Sequence, residues 1–209
     1  MKTKSVISRF VSMLSMVLIF GLLQFWIYGC RERTVPIPKP RAYPRVFFPA
    51  RNYVAFRQQE CPLTFLYPDY MQLIRREHFF DEQPAHPCWF DLDASALGAK
   101  IHCSYSPIES GKAFDELVSD AFKMADRINQ RANYMDEIRV ANAQGVSGLL
   151  MEFSGAAASP LHFYLTDSTR HFLKVSLYYQ SKVAPDSLAP MTNFLREDLA
   201  VMINSMTFE

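Results

Sequence analysis

Apolar and polar positions alternate along Leu161–Tyr179, LHFYLTDSTRHFLKVSLYY, and the rest of the chain can be organised around this stretch. Leu161, Phe163 and Leu165 form one period-two set. His171, Leu173, Val175, Leu177 and Tyr179 form a second. Such alternation with β-branched and aromatic residues predicts two half-buried strands. If the odd-numbered residues of both strands face one core, paired positions sum to an even number. Placing Leu165 opposite His171 then leaves Thr166–Arg170 as a five-residue loop, a length usually built on a type I turn. Asp167 and Ser168 supply the side-chain oxygens that such turns use.

The same periodicities place the other elements. Tyr53–Phe56 and Leu63–Tyr67 read as short strands, the second ended by Pro68. Tyr70–Phe80 reads as a turn of helix and loop, and Glu77–Pro87 as a surface loop. Cys88–Leu92 and Lys100–Tyr105 read as a hairpin. Phe114, Leu117, Val118, Ala121, Ala125 and Ile128 recur at three- and four-residue steps, which predicts a helix over Phe114–Asn133 with Ser110 as its cap. Strands follow at Glu137–Ala143 and at Gly148–Phe153, where Leu149, Met151 and Phe153 share a face. Leu188, Met191, Leu195, Leu199, Met202, Ile203 and Met206 mark a closing helix with Pro190 in its first turn. Strands joined mostly by hairpins, with one central and one C-terminal helix, imply an α+β fold: an antiparallel β-sheet with helices packed on its faces. This order of elements resembles the Mog1/PsbP-like sandwich.

The N-terminus changes the class of protein. Lys2, Lys4 and Arg9 precede Phe10–Tyr28, which carries no charge, and Gly29-Cys30 follows. This pattern predicts an export signal over residues 1–29. A cysteine directly after Ile27-Tyr28-Gly29 reads as a lipoprotein processing box, with Cys30 as the lipidated residue. The alternative is an uncleaved membrane anchor, since the apolar run approaches the roughly 20 residues a span needs. Thr34–Pro49 carries prolines at 36, 38, 40, 44 and 49, a density that favours extended polyproline conformation. Residues 30–51 are thus a lipidated cysteine plus a proline-rich tether whose aromatic end, Tyr43, Phe47 and Phe48, is placed to dock on a single globular domain over residues 52–209.

Charge divides along the same line. Arg31–Arg51 sets six basic residues against Glu32 alone, whereas the chain from Asn52 onward is net negative. A basic collar beside a lipid anchor suits anionic headgroups; a solvated tether with no preference is the alternative. An acidic body argues against nucleic acid as a partner. Cys61, Cys88 and Cys103 remain. Cys88 and Cys103 bracket the predicted hairpin and could form a disulfide; three reduced, buried thiols are the alternative.

Asp167, Ser168 and His171 are the residue types of a hydrolase, but three members crowded into one turn cannot easily align, and no G-x-S-x-G elbow exists. His86, Cys88, His102 and Cys103 match no standard zinc spacing, and no P-loop or dinucleotide glycine pattern is present. No catalytic residue, metal site or cofactor is implied. The even-numbered hairpin residues Tyr164, Phe172 and Tyr178, with His162 and Lys174, present a mixed aromatic and polar face of the kind enriched in protein contacts. Together with Asp167, Ser168, Thr169 and Arg170 they make a candidate interaction surface. The alternative is that a helix covers this face.

The segments PKPRAYPRVFFP, CWFDLDASALGAKIHCSYSPI, FYLTDSTRHFLKVSLYY and PDSLAPMTNFLREDLAVMINSM, in that order, resemble the gliding-motility lipoprotein GldD family of Bacteroidetes. FYLTDSTRHFL is the most specific of them. The resemblance implies a membrane-anchored, non-enzymatic accessory of gliding motility and type IX secretion, with other envelope proteins of that machinery as partners. Bacteroidetes surface lipoproteins tend to carry acidic residues just after the lipid cysteine; Arg31-Glu32-Arg33, with two basic residues around one acid, does not look like that, so the expected location is a periplasm-facing lipid anchor. A periplasmic module that binds a small ligand or glycan is the alternative.

Overall fold

The period-two segments become strands of one seven-stranded antiparallel sheet and one three-stranded sheet. The structure is a computed structural model that describes residues 13–18, 45–75 and 85–209. Cys30, most of the predicted leader, the tether up to residue 44 (Tyr43 included) and much of the Glu77–Pro87 loop lie outside the described residues. The chain forms two compact units, Met1–Ala42 and Tyr43–Glu209. In the first, residues 13–18 are helical. Among the described residues, no helix is long and apolar enough to cross a membrane.

In the second unit, β1 (Tyr53–Phe56) pairs with β2 (Leu63–Pro68). β2 also pairs with β10 (Thr207–Phe208), a strand the sequence pattern did not indicate. The large sheet runs in the order β3 (Gln72–Arg75), β4 (Trp89–Ala94), β5 (Ala99–Pro107), β9 (His171–Tyr179), β8 (Leu161–Thr166), β7 (Ser147–Gly155), β6 (Ala132–Ala141). The chain leaves β5 through helix α1 (Gly111–Asn129) to the far edge. It then returns as a meander that closes β9 against β5. Helix α2 (Pro185–Ser205) follows.

Parity decides the layers. The odd residues of β8 and β9, from Leu161 to Leu177, lie in the main core with Ile101, Cys103, Phe90 and Leu92. On that face they meet Leu195, Leu199, Met202 and Ile203 of α2 and Phe56, Leu63 and Phe65 of the small sheet. On the opposite face Leu149, Met151 and Phe153 pack against Ala125 and Ile128 of α1. Helices therefore cover both faces of the sheet, and the fold is α+β.

Several boundaries differ from the sequence reading. Gln72–Arg75 is an edge strand on β4 instead of helix and loop, because Leu73 pairs with Leu92 and Ile74 with Asp91. Helix α1 stops at Asn129, and β6 begins at Ala132, where pairing of Met135 with Phe153 outweighs weak local helix preference. Its cap is as expected: the Ser110 side chain accepts from Ala113 N–H. Helix α2 starts with Pro185 in its first turn, so Pro190 sits inside the helix. Gly148 is required where β7 passes β8, since a Cβ there would come within 1.9 Å of the Tyr164 carbonyl oxygen.

Candidate functional site

The hairpin loop is built by one carboxylate. Asp167 Oδ1 accepts from the backbone N–H groups of Thr169, Arg170 and His171 at 3.0, 2.9 and 2.9 Å. Thr166 Oγ1 donates to the His171 carbonyl and accepts from Ser168 N–H. These bonds draw Thr166 into the ladder opposite Phe172, so Leu165 faces Leu173 and not His171. The register differs from the expected one by two residues, which leaves every side chain on its expected face. Burial works to raise the Asp167 carboxyl, but the hydrogen bonds from Arg170, Thr169 and His171 outweigh it and hold the group well below the carboxylate range. Ser168 takes the left-handed conformation, φ 63°.

The loop tip, Ser168-Thr169-Arg170, is exposed. The aromatic part of the expected interaction surface is not. Phe172 is only 2% exposed, stacked on Tyr164 at 5.0 Å and edge-on to Phe114 of α1. Tyr178 is half-buried beside His102. Outward alternation of the aromatics leaves two readings, a contact surface or a face under a helix; α1 covers Phe172, and burying one such ring contributes about 2 kcal/mol. Asp167, Ser168 and His171 do not align for nucleophilic catalysis, because Asp167 serves backbone N–H groups and His171 Nδ1 lies 2.7 Å from the Tyr105 hydroxyl.

Cys88 bonds to Cys61, not to Cys103. In the β4–β5 ladder Cys103 stands opposite Phe90, while Cys61 is brought under Cys88 from the loop before β2. The bridge ties the small sheet to the large one. No group of three or more residues able to hold a metal occurs among the described residues.

Two features go beyond the sequence reading. One is a grip on the end of the tether. Asp198 of α2, 1% exposed, accepts from Tyr53 OH at 2.7 Å and Tyr70 OH at 2.5 Å and pairs with Arg51 Nε at 3.0 Å. The Arg51 guanidinium also lies 4.0 Å from the Phe194 ring centroid and donates to the Phe194 carbonyl at 2.9 Å. Phe48 stacks on Phe194 at 4.6 Å, so the expected docking of the aromatic tether end holds for Phe48. Burial raises the Tyr53 hydroxyl, helped by its bond to Asp198, to about 12. The signal was an acid in an apolar stripe: Asp198 lies between Leu195 and Leu199, both buried.

The other is a cleft of about 280 Å³ between α2 and the β7–β8 connection, lined by Phe153, Tyr179, Leu188, Thr192, Asn193 and Arg196 among others. Its polar groups are partly committed: Tyr179 OH lies 2.9 Å from Thr192 Oγ1, and Arg196 pairs with Glu152 at 2.8 Å.

Replacing Asp167 with alanine is expected to cost about 2 kcal/mol, since three backbone donors lose a charged acceptor. Thermal melting should fall by roughly 5 °C, and amide exchange at Thr169, Arg170 and His171 should quicken. Unchanged exchange there would mean that the backbone holds the loop without the carboxylate.

The solution structure of cyanobacterial PsbP (CyanoP) from Synechocystis sp. PCC 6803 is similar, with TM-score 0.47 and 10% identity over 77% of this chain and 95% of that one. None of the curated proteins matches the chain. The sequence from Arg33 to Phe208, spanning both sheets and both helices, matches the family described as gliding motility lipoprotein GldD. The chain belongs to that family.

Proposed function

We propose that this chain acts, without catalysis, as a lipid-anchored and periplasm-facing accessory of the gliding apparatus and of type IX secretion, working through contacts with other envelope proteins of that machinery. Membership of the GldD family over residues 33–208 carries the reading. A gliding-motility lipoprotein is held to a membrane of the cell envelope. The Cys61–Cys88 bridge agrees with export, because disulfides persist in oxidising compartments and are rare in the cytosol. The geometry suits a held body more than an active site. Arg51 grips α2 where the tether ends, and the hairpin loop presents Ser168-Thr169-Arg170 on a stiff turn.

The test separates anchor from body. Deletion of the gene is expected to abolish spreading and secretion of type IX cargo, the wild-type chain to restore both, and Cys30→Ser to restore neither. Secretion and spreading that persist in the deletion strain would refute the proposal.

The α2 cleft favours a second reading, a ligand- or glycan-binding module. At about 280 Å³ it falls just below the roughly 300–1,000 Å³ of most ligand sites, so protein contact remains the better account. Calorimetric titration with soluble peptidoglycan fragments would reverse that order if it gave saturable binding that Asn193→Ala abolished.

A further inference from the structure

Strand β6 ends the seven-stranded sheet, and among the described residues it pairs on one side only, with β7. It is ten residues long. An edge of this length is normally guarded by proline, by charged side chains, lysine above all, or by a bulge. Here Tyr134–Asn142 contains neither proline nor lysine, and the one irregularity lies at the start, between Ala132 and Tyr134. Tyr134 is 59% exposed and Ile138 43% exposed. Asp136, Glu137 and Arg139 are exposed as well.

We infer that β6 pairs antiparallel with β6 of a second copy of this chain, through a two-fold axis at Ile138 perpendicular to the sheet. The charge pattern selects both the occupant and the register. A two-fold perpendicular to the sheet keeps each face on its own side, so opposed residues share parity. Glu137 and Arg139 lie on the α1 side, opposite Met151 and Leu149 of β7, and Ile138 lies on the other side, opposite Leu150. With Ile138 opposite Ile138, each Glu137 faces Arg139 of the other copy. Two ion pairs then flank one apolar contact, with Asp136 opposite Val140 on the second face. A slip of two residues one way sets Glu137 against Glu137; a slip the other way sets Arg139 against Arg139. Like charges directly opposed on neighbouring strands are destabilising. One register is therefore self-complementary, and its neighbours on either side are not. Ile138 also lies near the middle of the regular stretch Tyr134–Ala141: the bulge closes one end, and at the other Asn142 leaves the strand, its side chain donating to the carbonyls of Ile203 and Met206. The pairing is independent of the proposed role in gliding.

The test is cysteine crosslinking of the full-length lipidated protein in its own membrane. Ile138→Cys is expected to form a disulfide-linked dimer on mild oxidation, because a residue on a two-fold axis meets itself. Ile74→Cys, exposed on the opposite edge strand, is expected to form none. In the Ile138→Cys background, Glu137→Arg should lower the dimer yield at least about tenfold, and adding Arg139→Glu should restore it. Circular dichroism melting of each purified variant checks that the fold is intact. The inference is overturned if Ile138→Cys crosslinks no better than Ile74→Cys, if it crosslinks to a different protein, or if the double charge reversal fails to restore a dimer in a folded chain.

Discussion

Replacing Asp198 with alanine is expected to destabilise the body by about 2–4 kcal/mol and to lower its melting temperature by roughly 8 °C. The magnitude follows from what the carboxylate leaves behind. Two tyrosine hydroxyls, from Tyr53 and Tyr70, lose their acceptor, and Arg51 loses its buried countercharge and keeps the exposed Glu197 as its remaining partner. Each partner comes from the N-terminal part of the domain, while Asp198 sits on the last helix, so one substitution removes three ties between the start of the domain and that helix. Asp198→Asn keeps one oxygen acceptor and should cost less. The release also has a local signature: trypsin should cut after Arg45 and Arg51 faster than in the wild type. The grip adds an alkaline limb to the stability profile. With the Tyr53 hydroxyl at about 12 in the folded chain, its contribution is complete below the ordinary tyrosine value near 10 and is lost as pH rises from there to 12. A melting temperature within 2 °C of wild type for Asp198→Ala would show that the cluster adds nothing beyond the apolar contacts around it.

The grip also shows where sequence reasoning reached its limit. Period-two and three-four spacing reveal which face of an element is apolar, and the hairpin, the central helix and the closing helix were legible for that reason. They do not reveal what lies opposite. The outward aromatics of β8 and β9 admit either a free surface or a helix laid over them, because nothing local says that α1 crosses over Phe172. Cys88 was matched with Cys103 because they bracket one hairpin, whereas its partner Cys61 is 27 residues upstream and reaches it only through sheet packing. β10, of two residues, carries too few positions to alternate, and β3, Gln-Leu-Ile-Arg, does not alternate at all, so their pairing partners supply the order. Asp198 was visible as an acid within an apolar stripe, but Arg51, Tyr53 and Tyr70 lie 128 to 147 positions away along the chain. The chemistry at the tether's end is thus a product of topology, as is the cleft between α2 and the β7–β8 connection.

The interface between α1 and the sheet should weaken when the medium is acidified, and His162 is the cause. The residue is 0% exposed, beneath a helix whose Ala121 and Ala125 are also fully buried. Its Nδ1 lies 2.7 Å from Ser176 Oγ. Burial first, and then the nearby Lys174 charge, depress the imidazole to about 4; backbone groups of Ala121 and Val175 only partly oppose this. Lys174 is itself lowered by burial, with Asp120 of α1 acting in the opposite sense, and Lys123 pairs with that same Asp120. Above the unfolded histidine value of about 6.5, both states are neutral and the full stability is present. As pH falls from there to about 4, the unfolded chain takes up a proton that the folded chain refuses. The loss reaches about 3 kcal/mol by the lower limit. The melting temperature should therefore drop by roughly 8 °C between pH 7 and pH 4, and His162→Gln, which keeps a hydrogen-bonding side chain without a titrating proton, should flatten most of that slope. Asp167 does not confuse the reading: its carboxyl is held below the ordinary value, so its contribution is present above the unfolded carboxylate value near 3.8 and is lost only at more acid pH. An imidazole resonance of His162 titrating near 6.5 by NMR, or parallel melting profiles for the wild type and His162→Gln, would show that acid enters the fold elsewhere.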